Sequence, residues 1–320
     1  MIALAAVLLV AASSCSAQTA PTRPHITGIS HAGLFVSDLP KAIAFWHDFL
    51  GFDESYDIDK SGMAPPGTPN ALIAFIKIND RQHIELFNQQ PLNQPSSVPP
   101  NHLSHISFSV DDIQQMRAYL IAKGFEIKPV TAKSRAGDYS FHVLDPDGTQ
   151  VEFVQTMPDG MEAKAAGKLE PSTRVSSHIY HLGFLVGNSQ KAIDFYHDIL
   201  GFEETWRGGG SPTELSWINM RVPDGTDYVE FMLYRTLPKT YGSSNHIALE
   251  VPDLAAAVAA LEARPAFKAY DRPIEMHVGK NGKRQANLYD PDGTRVELME
   301  PNTADGKPVP SSTAPPPAHN

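Results

Sequence analysis

The chain has 320 residues, 42% of them apolar and 19% charged, and a formal net charge of -10. That length holds two domains of ordinary size, each with its own core, and the composition is that of a soluble globular protein. A mildly acidic chain with no Lys- or Arg-rich run argues against nucleic acid as a partner.

The first residues, "MIALAAVLLVAASSCSAQTA", are a short apolar run followed by small side chains. The run is too short for a transmembrane helix and reads as an export signal over residues 1–17, although no Lys or Arg precedes it. The expected location is therefore periplasmic or secreted. Cys15, the only cysteine, lies in "AASSC". This resembles a bacterial lipoprotein cleavage site, with Ala12 where such sites usually carry Leu, and would place a lipid anchor on Cys15. Cleavage after Ala17 by ordinary signal peptidase is the other route. Either way the mature fold needs no disulfide and has no thiolate for catalysis or metal binding. No other stretch is apolar enough to span a membrane.

The chain then states one pattern twice. "HAGLFVSDLPKAIAFWHDFLGF", from His31 to Phe52, returns as "HLGFLVGNSQKAIDFYHDILGF", from His181 to Phe202. "NHLSHISFSVDD" around His105 returns as "SSNHIALEVPD" around His246, and "LDPDGTQVEFVQ" as "YDPDGTRVELMEP". An internal repeat of this kind defines the units of the fold. The expected domains are residues 26–156 and 178–301. Residues 157–177, with little apolar periodicity, form the linker. Residues 302–320, rich in Pro, Ser and Ala, are expected to be a disordered tail.

Each domain also halves. "ISHAGLFV" reads as a strand. In the helix that follows, Asp38 suits the N-cap and Pro40 the first turn; Ile43, Trp46, Phe49 and Leu50 form an apolar face, and Gly51 stops it. Strands "ALIAFIKI" and "QHIELF" come next. The second quarter repeats the order: "HISFSV", a helix ending at Gly124, then "YSFHVL" and "TQVEFVQ" joined by the turn "DPDG". The fold class is α+β, with a strand, a helix and about three strands occurring four times.

Every quarter carries a histidine in its first strand and a glutamate in its last, at nearly constant separation. The pairs are His31 and Glu85, His105 and Glu152, His181 and Glu230, and His246 and Glu297. In "HIELF" and "YVEFML" the glutamates stand among apolar and aromatic neighbours. A lone carboxylate on a packed sheet costs several kcal/mol or is forced to protonate. Two His and two Glu facing one centre suit a divalent cation such as Zn, Ni, Fe or Mn.

These residues carry a family likeness. "SHAGLFVSDLPKAIAFWHDFLGF", "QHIELF", "SHISFSVDD" and "DPDGTQVEF", with their counterparts, resemble the βαβββ module of the vicinal oxygen chelate (VOC) superfamily. That superfamily includes glyoxalase I, extradiol dioxygenases and bleomycin-resistance proteins. The resemblance implies four modules forming two glyoxalase-like domains with cup-shaped mixed sheets. It implies divalent-metal sites with ligands drawn from His31, Glu85, His105, Glu152, His181, Glu230, His246 and Glu297; the first quarter could share a cup with the second or with the fourth. Glu152 and Glu297 are the implied catalytic bases.

The likeness departs at two places. Phe35 and Leu185 stand where glyoxalase I carries an arginine for the glutathione carboxylate, and Gln89 and Tyr234 where it carries an asparagine. Lactoylglutathione lyase activity is therefore not expected. Extradiol dioxygenases use two His and one Glu and carry a tyrosine where this chain has His142 and Asn287; Tyr289 is out of register.

The expected function is an exported, metal-dependent enzyme of glyoxalase or dioxygenase type: a lyase, isomerase or oxygenase acting on a small oxygen-rich substrate. The metal would serve as Lewis acid and a glutamate as base. The alternative is a small-molecule binding protein of the bleomycin-resistance type. His142 and His102 read as assisting groups or ordinary strand residues. His47 and His197 read as helix surface residues, and Trp46, Phe49, Tyr196 and Ile199 as core. "GKNGKRQ" from Gly279 reads as a hairpin turn or a lid. Which quarters share a cup, which metal binds, and whether the chain is a monomer or a homodimer stay open at this level.

Overall fold

The computed structural model describes residues 20–88, 102–233 and 245–317. The leader with Cys15 and Ala17, as well as Gln89 and Tyr234, lies outside them. Among the described residues no helix is long and apolar enough to cross a membrane.

The first domain contains β1 (Ile26–Val36), α1 (Leu39–Ala44), β2 (Glu54–Asp59), β3 (Gly62–Ala64), β4 (Ile73–Asn79) and β5 (Gln82–Asn88). Its second quarter contains β6 (Leu103–Val110), α2 (Ile113–Ala122), β7 (Tyr139–Leu144) and β8 (Gln150–Gln155). The strands form one mixed sheet in the order β3-β2-β4-β5-β1-β6-β8-β7. After α3 (Met161–Lys164), the second domain contains β9 (Ile179–Val186), α4 (Ser189–Ile193), β10 (Glu203–Gly208), β11 (Trp217–Arg221) and β12 (Tyr228–Leu233). It ends with β13 (His246–Glu250), α5 (Leu254–Glu262), α6 (Phe267–Tyr270), β14 (Met276–Val278), β15 (Lys283–Tyr289) and β16 (Arg295–Thr303). The second sheet is ordered β10-β11-β12-β9-β13-β16-β15-β14.

These orders answer the pairing question. The first quarter joins the second through β1 and β6, and the third joins the fourth through β9 and β13. Each cup is built within one half of the chain.

Local sequence explains the helices. Asp38 accepts a hydrogen bond from the Lys41 amide, and Asp112 and Asp253 cap α2 and α5 in the same way. Gly51 ends the first helix with φ +84, a conformation that favours glycine. The helix is not α throughout. Phe45–Phe49 form a π-helical turn, and Asp194–Ile199 repeat it in the second domain. The wider turn buries Phe45 with Trp46, Phe49 and Leu50, while Ile43, expected on that face, is only half-buried.

The second quarter has two strands after its helix, not three. Phe125–Asp138 forms no strand, and Pro129 within it has no amide to donate to a ladder. The "GKNGKRQ" stretch spans the turn between β14 and β15 and the start of β15. From Asn302 the chain continues β16 to Thr303 and then lies against the second sheet. There Ser312 donates its amide hydrogen to the Arg207 carbonyl, and Ala314 is buried.

One apolar core runs through both halves. Phe49 stacks on Tyr270 at 4.6 Å, and Phe108 meets Phe202 edge-on at 5.1 Å. Gln82 ties the two sheets together. Its side-chain oxygen accepts from the Ile179 amide, and its side-chain nitrogen donates to the Ile29 and Ile179 carbonyls.

Candidate metal centres

Strand alternation decides what each cup contains. On β1, Ala32 and Leu34 face the core, which puts His31, Gly33 and Phe35 in the first cup. β5 adds His83 and Glu85, β6 adds His105, and β8 adds Glu152. Gly33 pairs with His105 across the β1–β6 ladder, and the imidazole lies over the glycine. A Cβ on Gly33 would stand 2.3 Å from that ring. Gly183 does the same for His246, where a Cβ would stand at 1.9 Å. The glycine two residues after each opening histidine is thus room for the partner imidazole.

In the first cup, four side chains converge. His31 Nε2 is 3.0 Å from His105 Nε2, 2.7 Å from a Glu152 oxygen and 3.7 Å from a Glu85 oxygen. His105 Nε2 is 3.6 Å from each of Glu85 and Glu152. Donors bound to one ion at about 2.0–2.2 Å lie about 3–3.5 Å apart, so His31, His105 and Glu152 suit a single divalent cation, with Glu85 slightly farther off. The remaining ring nitrogens fit it too. His31 Nδ1 meets the Ser30 hydroxyl at 3.0 Å and His105 Nδ1 meets the Ser104 hydroxyl at 3.3 Å. An Nδ1–H donating to each hydroxyl leaves Nε2 with its lone pair toward the cation.

Electrostatics follow from crowding. Burial pushes Glu85 and Glu152 up, but the surrounding imidazoles outweigh it and hold both below the usual carboxylate range. Burial lowers His105 to about 4, keeping it neutral as a ligand must be.

Two further groups complete this cup. His83 stacks on His31, with centroids 4.3 Å apart, and pairs through Nδ1 with Glu162 of α3. Burial opposes its charge, but Glu162 and Glu85 raise His83 to about 10. The linker segment is therefore part of the first cup. It is held there by buried Lys77, whose ammonium donates to the Ala165 and Lys168 carbonyls. His142 lies at the rim, 3.6 Å from Glu152.

The second cup keeps the residues and changes the arrangement. His181 Nε2 is 2.9 Å from His246 Nε2 and 3.4 Å from Glu297, and His246 is 3.6 Å from Glu297. Glu230 reaches His246 at 3.6 Å but has no contact with His181 within 4.0 Å. Burial, reinforced by Glu297, raises Glu230, whereas His181 and Arg295 help hold Glu297 low against its own burial. His181 Nδ1 is buried without a hydrogen-bond partner among the described residues. At His246, Nδ1 faces the Arg295 guanidinium, which can only donate. Tyr228 replaces His83 and stacks on His181 at 4.6 Å.

Residues 28–153 and 178–298 both match the model of the Glyoxalase/Bleomycin resistance protein/Dioxygenase superfamily. The chain belongs to this superfamily. No curated protein matches it by sequence. Among solved structures it is similar to the Mn(II)-bound glyoxalase from Novosphingobium aromaticivorans. The identity is 18% over 91% of this chain and 86% of that one, with a TM-score of 0.61. It is similar to homoprotocatechuate 2,3-dioxygenase from Brevibacterium fuscum, solved with 3,4-dihydroxyphenylacetate, at 18% identity. That match covers 92% of this chain and 88% of the other, with a TM-score of 0.61. A catechol 2,3-dioxygenase matches at 14% identity over 91% and 92%, with a TM-score of 0.63. At such identities the likeness establishes the fold.

The glyoxalase-like fold brings all eight sequence-predicted residues into two cups of four. Of the lesser candidates, only His142 reaches a cup carboxylate. His47 and His197 are exposed and pair with their neighbours Asp48 and Asp198. Four residues were not singled out from sequence: His83, Glu162, Arg295 and Trp217. His83 and Arg295 had a signal, since each lies two residues before a predicted ligand and so on the same strand face. Glu162 had none, because it lies in the linker.

Proposed function

We propose that the protein is a divalent-metal-dependent enzyme of glyoxalase or dioxygenase type whose metal centre is the first cup. The observation that carries this is the convergence of His31, Glu85, His105 and Glu152, with both histidines oriented by serine hydroxyls. A divalent ion bound there would act as a Lewis acid toward negative charge developing on adjacent substrate oxygens.

The chain's own groups do the rest. The cup beside the ligands has a volume of about 300 Å³ and is walled by Tyr56, Ile58, Ile73 and Phe75, which admits a small substrate. Glu152 is the base. Its oxygen near His142 can take a proton from carbon or oxygen, and the half-exposed imidazole can pass that proton to solvent. His83 and Glu162 close the wall behind His31 and keep the ring from turning. The reaction classes this supports are proton transfer alpha to a carbonyl, elimination, and ring-opening oxygenation of an oxygen-rich substrate.

The test is metal content by inductively coupled plasma mass spectrometry on protein purified without chelator. About one tightly held ion per chain is expected. No metal after reconstitution would remove the enzyme reading and leave the small-molecule binding protein. The apolar leader supports a periplasmic or secreted location, with Cys15 or Ala17 as processing site. Cell fractionation with mass determination of the mature N-terminus decides between them.

A further inference from the structure

The second cup opens into a cavity of about 300 Å³ lined by Trp206, Trp217, Asn287, Arg295 and Lys280, with Glu230 and Glu297 at its base. Its walls are purpose-shaped. Trp217 stands opposite Gly208 in the β10–β11 ladder, and the indole of Trp206 lies across that glycine, where a Cβ would stand 2.3 Å from the ring. Two half-buried indoles therefore face the same space from the outer strands.

Arg295 enters from β16, in register with His246. Among the described residues it has no carboxylate oxygen within 4.0 Å. One guanidinium nitrogen contacts the Met232 sulfur and His246 Nδ1, and its Nε is buried without a partner. Among the described residues the Trp206 indole N–H and the Asn287 side-chain oxygen are also buried and unpartnered. Buried polar atoms without partners are rare in folded proteins, and a guanidinium with no carboxylate oxygen at hydrogen-bond distance rarer still. The first cup has Gln150 at the position of Arg295, and that side chain is exposed. The first cup's wall instead carries Arg135, which donates to the Asp59 carbonyl, whereas Arg295 stands in register with a cup histidine.

We infer that the second cup binds a small, ring-bearing carboxylate, with Arg295 as the anchor and Trp206 and Trp217 as the flat walls. A guanidinium matches a carboxylate with two parallel hydrogen bonds. Indole faces suit a planar ring. Lys280 adds positive potential at the mouth. Glu230 and Glu297 lie at the base of the cavity, and the indoles and Arg295 line its walls. This site does not depend on metal in the first cup.

The test is isothermal titration of the full chain with benzoate, benzyl alcohol and acetate, alongside Arg295→Gln and Trp217→Ala. Gln is the residue the first cup carries at the same position, so the first variant is expected to fold. The parent should bind benzoate saturably in the millimolar range or tighter, and benzyl alcohol and acetate more weakly. Arg295→Gln should weaken benzoate about ten- to hundredfold, the loss of a charge-assisted pair, and Trp217→Ala should weaken benzoate while leaving acetate unchanged. No saturable benzoate binding, or equal binding by parent and Arg295→Gln, overturns the inference. Equal binding of benzoate and benzyl alcohol overturns the anionic part of it. Metal content measured on the same samples keeps the two readings apart. Benzoate binding without metal removes the enzyme proposal and leaves this one standing.

Discussion

The two cups hold the same eight-residue pattern, and their environments send it in different directions. In the first, each ligand histidine has a hydroxyl at Nδ1, and both glutamates stand within 3.7 Å of His31. In the second, one Nδ1 has no partner among the described residues, the other faces a guanidinium, and Glu230 has drawn away from His181. Ligand identity is thus only half of a metal site; the groups behind the ligands set which nitrogen carries the proton. Repeated sequence made two cups, and divergence behind the histidines gave them different preferences.

The largest expected contrast is in metal retention. His31→Ala with His105→Ala should strip the tightly held ion. His181→Ala with His246→Ala should leave it in place. Equal losses from the two double variants, measured by mass spectrometry after dialysis, would erase the distinction between the cups.

Next comes the linker. His83 carries its charge while buried beside Glu162 and Glu85. Glu162→Gln leaves that cation without its closest counter-ion and should cost about 3 kcal/mol or more of stability. The second cup has Tyr228 at this position and needs no counter-ion. Urea unfolding of the full chain should show the loss, and His83→Tyr combined with Glu162→Gln should recover most of it. If Glu162→Gln is neutral, the linker does not belong to the first cup.

Smaller effects concern the groups behind the ligands. Ser104→Ala should weaken metal binding in the first cup about 10- to 100-fold, the range for such partners. Arg295→Gln should strengthen it in the second, because a guanidinium no longer donates to His246 Nδ1. Metal titration against a competing chelator reads both. A metal affinity unmoved by either change would mean that the hydroxyls and the guanidinium do not steer the rings.

Much of this was legible in the sequence. The repeat and the His–Glu spacing gave the module, and period-two alternation placed both residues on one sheet face. The role of the glycines in "HAGLF" and "HLGFL" was not legible; the structure shows a neighbouring imidazole lying over each. The pairing of quarters was not legible, because either pairing gives complete ligand sets and only strand order separates them. Glu162 was invisible because a linker has no periodicity to fix its direction; tertiary contacts with Lys77 and His83 place it. The absence of a third strand after α2 had a local mark in Pro129, whereas the π-helical turns depend on a hydrogen-bond register that the apolar pattern does not specify.

The last prediction is a pH dependence, and its sign is fixed by His83. The group titrates near 6.5 when unfolded and near about 10 in the folded first domain, where Glu162 and Glu85 favour its charge. Its contribution is full below pH 6.5 and is lost as the pH rises through about 10. Glu162 is held below its ordinary value of 4.5 by His83, despite burial, so its share is present above 4.5 and lost as the pH falls through its folded value. The pair therefore stabilises most between pH 4.5 and 6.5 and fades on the alkaline side. In chelator-treated protein, the parent should lose stability from neutral pH toward 10, and His83→Tyr should flatten that decline. Tyr228 already stacks on His181 in the same geometry without a counter-ion, so the substituted ring has a precedent in the second cup. An unchanged alkaline slope in His83→Tyr would show that the charge on His83 is not what holds the linker to the first sheet.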